Sequence, residues 1–349
     1  MKIALLLVTV FTVAAFATGE FSTNGAELWK FKGYGIFRFD IFGQEDISPD
    51  MAFCTSADVA WEPTLNDMLS ARAELQMNAA GEGYADLKDA YLNLAPVEDL
   101  TIRGGQFRRN IGWGEMESTT AMLFPSRPLY TSYGLFGKYG KRDMGAMLIG
   151  TFDMVTLDLA YTNGVVENAE NDSNKQFTIH GEATPVDWVT IGLGMGVYAA
   201  DDSTTSEADD TFSSTAFDAY GIIDYPISET AELHFTGEYL MLGYADGDIE
   251  GMEKTGASVM TAALGATFDL EGAMITGITP MLRYEQISPA TQLAEGAADP
   301  EDNYGAVDGC VNLHMGSNNV LQLGLRNYMY EADSPDGYTD VTVNWRMNF

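Results

Sequence analysis

A membrane-spanning, antiparallel, all-β barrel is the fold the sequence predicts, and three observations predict it. Apolar and polar residues alternate along many short segments, the alternation runs to the last residue, and the one long apolar run is N-terminal. In the last segment Val341, Val343, Trp345 and Met347 are apolar, while Asp340, Thr342, Asn344, Arg346 and Asn348 between them are polar. That is a strand with one dry and one wet face. Ending on Phe349 with no polar tail, it would be an aggregation-prone edge in a soluble sheet, whereas a closed barrel has no edge.

Lys2, the apolar residues 3–16 and the small-residue site Ala15-Phe16-Ala17 read as a secretory signal peptide, removed after residue 17. Residues 18–349 are then expected to form a single barrel domain. No later stretch approaches the roughly 18 apolar residues of a spanning helix. Cys54 and Cys310 are too few for a disulfide framework.

The strands follow in order. Residues 28–42 come first; 51–61 sets Phe53, Ala57, Val59 and Trp61 against Cys54, Ser56 and Asp58; 68–78 points Leu69, Ala71, Ala73, Leu75 and Met77 one way. Segments 84–95, 99–107, 141–151, 154–163 and 175–184 continue the pattern, and 187–199 carries Val189, Ile191, Leu193, Met195 and Val197 on one face. Next are 213–225, then 229–244 with Leu233, Phe235 and Tyr239 opposite Glu232, His234 and Glu238, then 256–270 and 276–287. The series closes with 304–314, 319–330 and 340–349. Tight connections (185–187, 226–228, 316–318) alternate with long polar ones (201–211, 289–303). Bacterial barrels put short turns in the periplasm and long loops outside, with an even strand number. Parity therefore requires 51–61 as a strand and 62–67 as a turn, giving sixteen strands, with fourteen the next even count. Trp188, Tyr225 and Phe349 would sit at one aromatic rim, and Tyr198, Tyr244 and Tyr338 at the other.

The chain carries a formal charge of −33. The long loops 43–50, 164–174, 201–211, 245–254, 289–303 and 331–337 together hold 22 acids and one base, Lys254. No loop has the ligand spacing of an EF-hand, so a solvated acidic rim is the reading here. One stretch is inverted. Residues 101–142 contain seven bases, Arg103, Arg108, Arg109, Arg127, Lys138, Lys141 and Arg142, and two acids, Glu115 and Glu117. The stretch includes the longest connection, 110–140, whose Ile111, Trp113, Met122, Leu123 and Phe124 need burial. Folded into the barrel, it would narrow a pore and put positive charge at the constriction, as in anion or phosphate pores. The other placement is outside, with the bases on lipopolysaccharide phosphates.

GGQFRRNIGWGEMESTTAMLFPSRP, preceded by KDAYLNLAP and followed by KRDMGAMLIG, resembles the phosphate-selective porin O and P family. The matching positions are Gly105, Gln106, Phe107 and Arg108; Glu115 or Glu117 with Ser118; Phe124 with Arg127; and Arg142, Asp143 and Gly145. The similarity covers about residues 88–176. It implies a sixteen-stranded homotrimeric channel in the bacterial outer membrane, with an inward-folded third loop, passing small hydrophilic solutes or ions, anions such as phosphate among them. Inward Arg38, Arg72, Arg103, Arg283, Arg326 and Arg346 would line the lumen, sharing its face with Asp40, Glu74, Asp158, Glu182, Asp218, Asp224, Glu232, Glu238, Glu285 and Asp340. The terminal apolar face ending in Phe349 resembles the signal read by the barrel-assembly machinery. Outer-membrane lipids and lipopolysaccharide are the other expected partners; no cofactor, metal or nucleic acid is expected.

A non-conducting structural or adhesive surface barrel is the alternative. An enzyme is not expected: His180, His234 and His314 all fall on the polar face, His180 two residues from Glu182 and His234 two from Glu232, but the first two lie on strands that are not neighbours.

Overall fold

The computed structural model describes residues 22–23, 26–27, 30–43, 51–78, 85–132, 139–164, 175–201, 211–245, 256–272, 274–288, 304–330 and 338–349. The expected signal peptide and Lys138 lie outside the described residues. Sixteen strands make the wall: β1 (Phe31–Ile41), β2 (Met51–Trp61), β3 (Leu69–Asn78), β4 (Ala85–Val97), β5 (Leu100–Arg108), β6 (Arg142–Phe152), β7 (Val155–Thr162), β8 (Gln176–Val186), β9 (Val189–Asp201), β10 (Thr211–Ser228), β11 (Ala231–Ala245), β12 (Gly256–Asp269), β13 (Gly277–Ser288), β14 (Tyr304–Met315), β15 (Asn319–Tyr330) and β16 (Thr339–Asn348). Each pairs antiparallel with the next, and β16 returns to β1 from Val341↔Ile41 to Asn348↔Tyr34, so the sheet closes. The short pieces Ser22–Thr23, Ala26–Glu27 and Thr64–Asn66 add to one end.

Closure inverts the usual distribution of polarity. Leu193, Leu282 and Leu325 are 56%, 57% and 54% exposed, whereas Asp218, Glu285 and Gln322 inside are 0% exposed. An apolar outer belt with every strand paired on both sides is what a bilayer demands of β-structure. The protein is an outer-membrane β-barrel.

Three local expectations change. Residues 62–67 are not only a turn, because Thr64–Asn66 pairs with β3. Strands β8 and β10 run through Pro185 and Pro226 with register shifts there, since a proline cannot donate to the ladder and is accommodated by a bulge. Of the rim tyrosines, Tyr198 is buried inside, and Tyr338 stacks on Tyr328 at 4.2 Å between centroids. Both share parity with inward neighbours, Gly196 and Asp340, and parity outweighs nearness to a strand end. The Tyr244 side chain lies outside the described set. At the opposite rim Trp188 meets Tyr225 edge-on at 5.2 Å.

Phe349 fastens the seam: its N–H donates to the Gly33 carbonyl, and the Gly33 N–H donates to the Phe349 carbonyl, each at 2.9 Å. Deleting Phe349 is expected to remove about 1–3 kcal/mol, two hydrogen bonds' worth, and to reduce membrane levels. Heat-modifiable mobility on gels at graded temperature, with quantified outer-membrane abundance, measures both.

Candidate functional site

The connection from β5 to β6 folds into the lumen. Gly112, at φ 84°, turns the chain into a short helix, α1 (Trp113–Met116), and a 3₁₀ turn follows at Leu129–Ser132. Its apolar side chains find the burial they need: Ile111, Leu129, Tyr130 and Tyr139 form one cluster with Tyr198, Leu240, Leu242, Val259 and Ile287 of the wall. At roughly 1.5–3 kcal/mol per large side chain removed from water, this cluster alone holds the loop strongly.

Wall carboxylates capture its backbone. Asp218 accepts from the Gly112 N–H at 2.7 Å, Glu285 from the Leu129 N–H at 2.6 Å, and Glu238 from the Tyr130 hydroxyl at 2.6 Å. Wall cations and amides take its carbonyls. Arg283 donates to Ser126 at 3.0 Å, Arg326 to Arg127 at 2.7 Å, Asn312 to Leu123 at 2.8 Å, and Arg346 to Thr119 and Met122 at 2.6 and 3.0 Å. All these partners sit on β10 to β16, so the loop is pressed against that half of the barrel.

Sequence reasoning missed how the wall admits the loop so closely. Along β9 the inward positions include Gly192, Gly194 and Gly196, where an added Cβ would lie 2.0 Å from the Tyr220 ring, 2.6 Å from Ile111 and 2.4 Å from Tyr139. The G-L-G-M-G run was the available signal, since glycine at three successive inward positions of a strand leaves a groove.

Opposite the docked half, a cavity of about 790 Å³ remains between the loop and the β1–β6 side. Six bases, Lys32, Arg72, Lys88, Arg108, Arg127 and Arg142, and four acids, Asp58, Glu62, Glu74 and Asp89, line it, a formal +2 in a chain of −33. Arg72 is tied to Glu62, Glu74 and Asp89, and Arg142 to Asp89 at 2.7 Å. Arg108 and Arg127 instead donate to neutral loop carbonyls: Arg108 to Glu115 at 2.5 Å, Arg127 to Gly114 and Glu117 at 2.5 and 2.8 Å. Among the described residues no carboxylate ion-pairs with Arg108, Arg127 or Lys88. Burial pushes the carboxyls of Glu115 and Glu117 above their ordinary range, against the opposing pull of nearby arginines.

The remaining nominated cations are placed differently. Arg103 stacks 4.1 Å over the Tyr91 ring and donates to Asn93 at 3.0 Å. Arg109 is fully buried, paired with Asp143 at 3.2 Å and donating to Gln176 and to the Lys141 carbonyl; its charge is spent inside the structure, not presented to the lumen. Arg38 pairs with Asp40 at 2.7 Å. Arg283 and Arg326 share Asp308 and Glu285, and with Arg346 serve the loop's carbonyls, so these three lumen-facing arginines are covered. Lys32 and Lys88 were not foreseen. Lys88 and Asp89 both line the cavity because a register shift between β3 and β4, at Ala73/Leu75, breaks the simple alternation.

His180 lies between Asp158 and Tyr220, each at 3.0 Å, and Tyr220 donates to Glu182 at 2.7 Å. The His180–Glu182 pair is therefore bridged by a tyrosine.

No protein-family model and no curated protein sequence matches the chain. Solved structures do. The channel DcaP of Acinetobacter baumannii superposes with a TM-score of 0.64 at 11% identity, covering 95% of this chain and 100% of that one. An anion-selective porin from Comamonas acidovorans gives 0.62 at 11% identity, over 92% and 99%. OmpT of Vibrio cholerae in a trimer form gives 0.58 at 13% identity, over 93% and 100%. These likenesses establish the sixteen-stranded outer-membrane porin fold.

Gly194→Leu is expected to push Ile111 off the wall and release the loop. Trypsin should then cut detergent-solubilised protein after Arg109, a site expected to resist cleavage in the parent; limited digestion with mass spectrometry reads the difference.

Proposed function

We propose that this protein is a porin: a water-filled channel for passive diffusion of small hydrophilic solutes, with preference for anions such as phosphate. The observation that carries the reading is the cavity beside the inward loop, where Arg108, Arg127 and Lys88 present charge without a carboxylate partner in an otherwise acidic molecule. Charges more than a Debye length away, about 8 Å at physiological salt, are largely screened. The acidic outer loops therefore act mainly at low salt, and the constriction decides selectivity at high salt. A unit charge about 6 Å from a permeating ion contributes roughly 1–3 kcal/mol for effective dielectrics between 80 and 20. The bases nominated from sequence enter unequally: Arg108, Arg127 and Arg142 border the passage, Arg103 stands at the neighbouring wall, and Arg109 and Lys141 support the loop.

The motif likeness to the phosphate-selective porin O and P family supports this reading, and the trimer form of the Vibrio cholerae neighbour supports a homotrimer. Lipopolysaccharide contact and delivery by the barrel-assembly machinery belong to the same reading, with the alternating apolar face of β16 as the assembly signal.

In planar bilayers under a salt gradient, the parent should show an anionic reversal potential that persists at high salt. Arg108→Glu with Arg127→Glu should move it to the cationic side; Lys88→Glu, which touches no loop carbonyl, should move it the same way by less. An unchanged potential in both folded variants would remove the case for anions, and failure of proteoliposomes to swell in small sugars would favour a non-conducting surface barrel. Because the Glu115 and Glu117 carboxyls sit above their usual range, they lose charge early on acidification, so anion preference should rise as pH falls from neutral. The same gradient measured at stepped pH tests the sign.

A further inference from the structure

We infer that Asp224, Glu232 and His234 form a binding site for one divalent transition ion, Zn²⁺ best matching the donors, on the lumen face at the short-turn end of the barrel. One ligand atom from each of the three lies within 4.8 Å of the others. Strand pairing brings them together: Asp224 is the direct partner of His234 across β10 and β11, and Glu232 lies two residues along on the same face. In this arrangement a small rotamer change in two carboxylates, Asp224 being half exposed, brings all three to Zn–N and Zn–O bonding distance of about 2.0–2.2 Å.

The imidazole is the oriented member. Its Nε2 meets the Thr267 hydroxyl at 2.7 Å, Thr267 meets Thr279 at 2.8 Å, and Thr279 meets Nε2 of His314 at 2.8 Å, a relay across four strands. With the His234 Nε2–H donating to Thr267, Nδ1 turns its lone pair toward Asp224, 2.7 Å away. A lone pair facing a carboxylate is repulsive unless a proton or a metal ion stands between them. Zn²⁺ takes that place, bound by the Nδ1 lone pair on one side and by the Asp224 carboxylate on the other, while Nε2–H stays on Thr267. The hydroxyl relay is the outer-shell hydrogen bond that metal-bound histidines carry. Three protein donors leave a fourth position open to water or to a passing solute. Carboxylate-rich surface attracts Ca²⁺ through oxygen alone, so an imidazole donor sets this site apart from any loosely held ion.

Chelator-stripped protein in detergent, titrated calorimetrically with Zn²⁺ in excess Ca²⁺, should bind one equivalent that Ca²⁺ does not displace. Co²⁺ in its place should give visible ligand-field bands of a low-coordinate nitrogen–oxygen site. His234→Ala should abolish the bands and the calcium-resistant equivalent, while Thr267→Val, which leaves every ligand in place, should weaken binding about tenfold. Absence of a calcium-resistant equivalent in the parent, or parental affinity in folded His234→Ala, overturns the site. Should His234→Ala not assemble, the parent's Co²⁺ spectrum and the Thr267→Val affinity decide the matter alone, and an anion-selective reversal potential in stripped protein would leave the channel reading intact.

Discussion

Every backbone N–H and C=O that enters the hydrocarbon layer must find its partner within the protein, because the surroundings offer none. For strands the solution is a closed ring, and here the ring depends on the eight register pairs between β16 and β1, finished by the reciprocal bonds of Gly33 and Phe349. Once the ring is closed, alternation sends apolar side chains to lipid and polar ones inward. The interior then holds far more charge than a soluble core tolerates.

The inward loop resolves that excess on one half of the barrel. Carboxylates of β10, β11 and β13 accept its N–H and hydroxyl groups, while arginines of β13, β15 and β16 donate to its carbonyls. Removing one partner from such a buried network leaves a desolvated charge, which costs several kcal/mol, typically about 3–5. The arrangement is therefore held as a unit. Its geometric consequence is an off-centre space along β1–β6, bordered by Arg108 and Arg127, which hold loop carbonyls but pair with no carboxylate, and by Lys88.

How legible the site was depended on the range of the interactions involved. Strand positions, their inward faces and the cationic character of residues 101–142 could be read locally, because period-2 alternation and charge counting need only neighbours in sequence. Arg108, Arg127 and Arg142 were identifiable on that ground. The burial of Arg109 was not, since it depends on Gln176, 67 residues away. Nor was the entry of Lys88, which follows from a register shift that alternation cannot register.

The sequence by itself determined a sixteen-stranded wall and its two faces, because hydrophobic burial and strand pleat act residue by residue. Only the tertiary structure decided which of the inward charges remain available. Arg346 meets the loop across 224 residues of sequence and Arg326 across 199, and both lose their water to it. Whether a guanidinium in a lumen keeps its charge uncompensated or is covered and paired depends on what the folded chain sets in front of it.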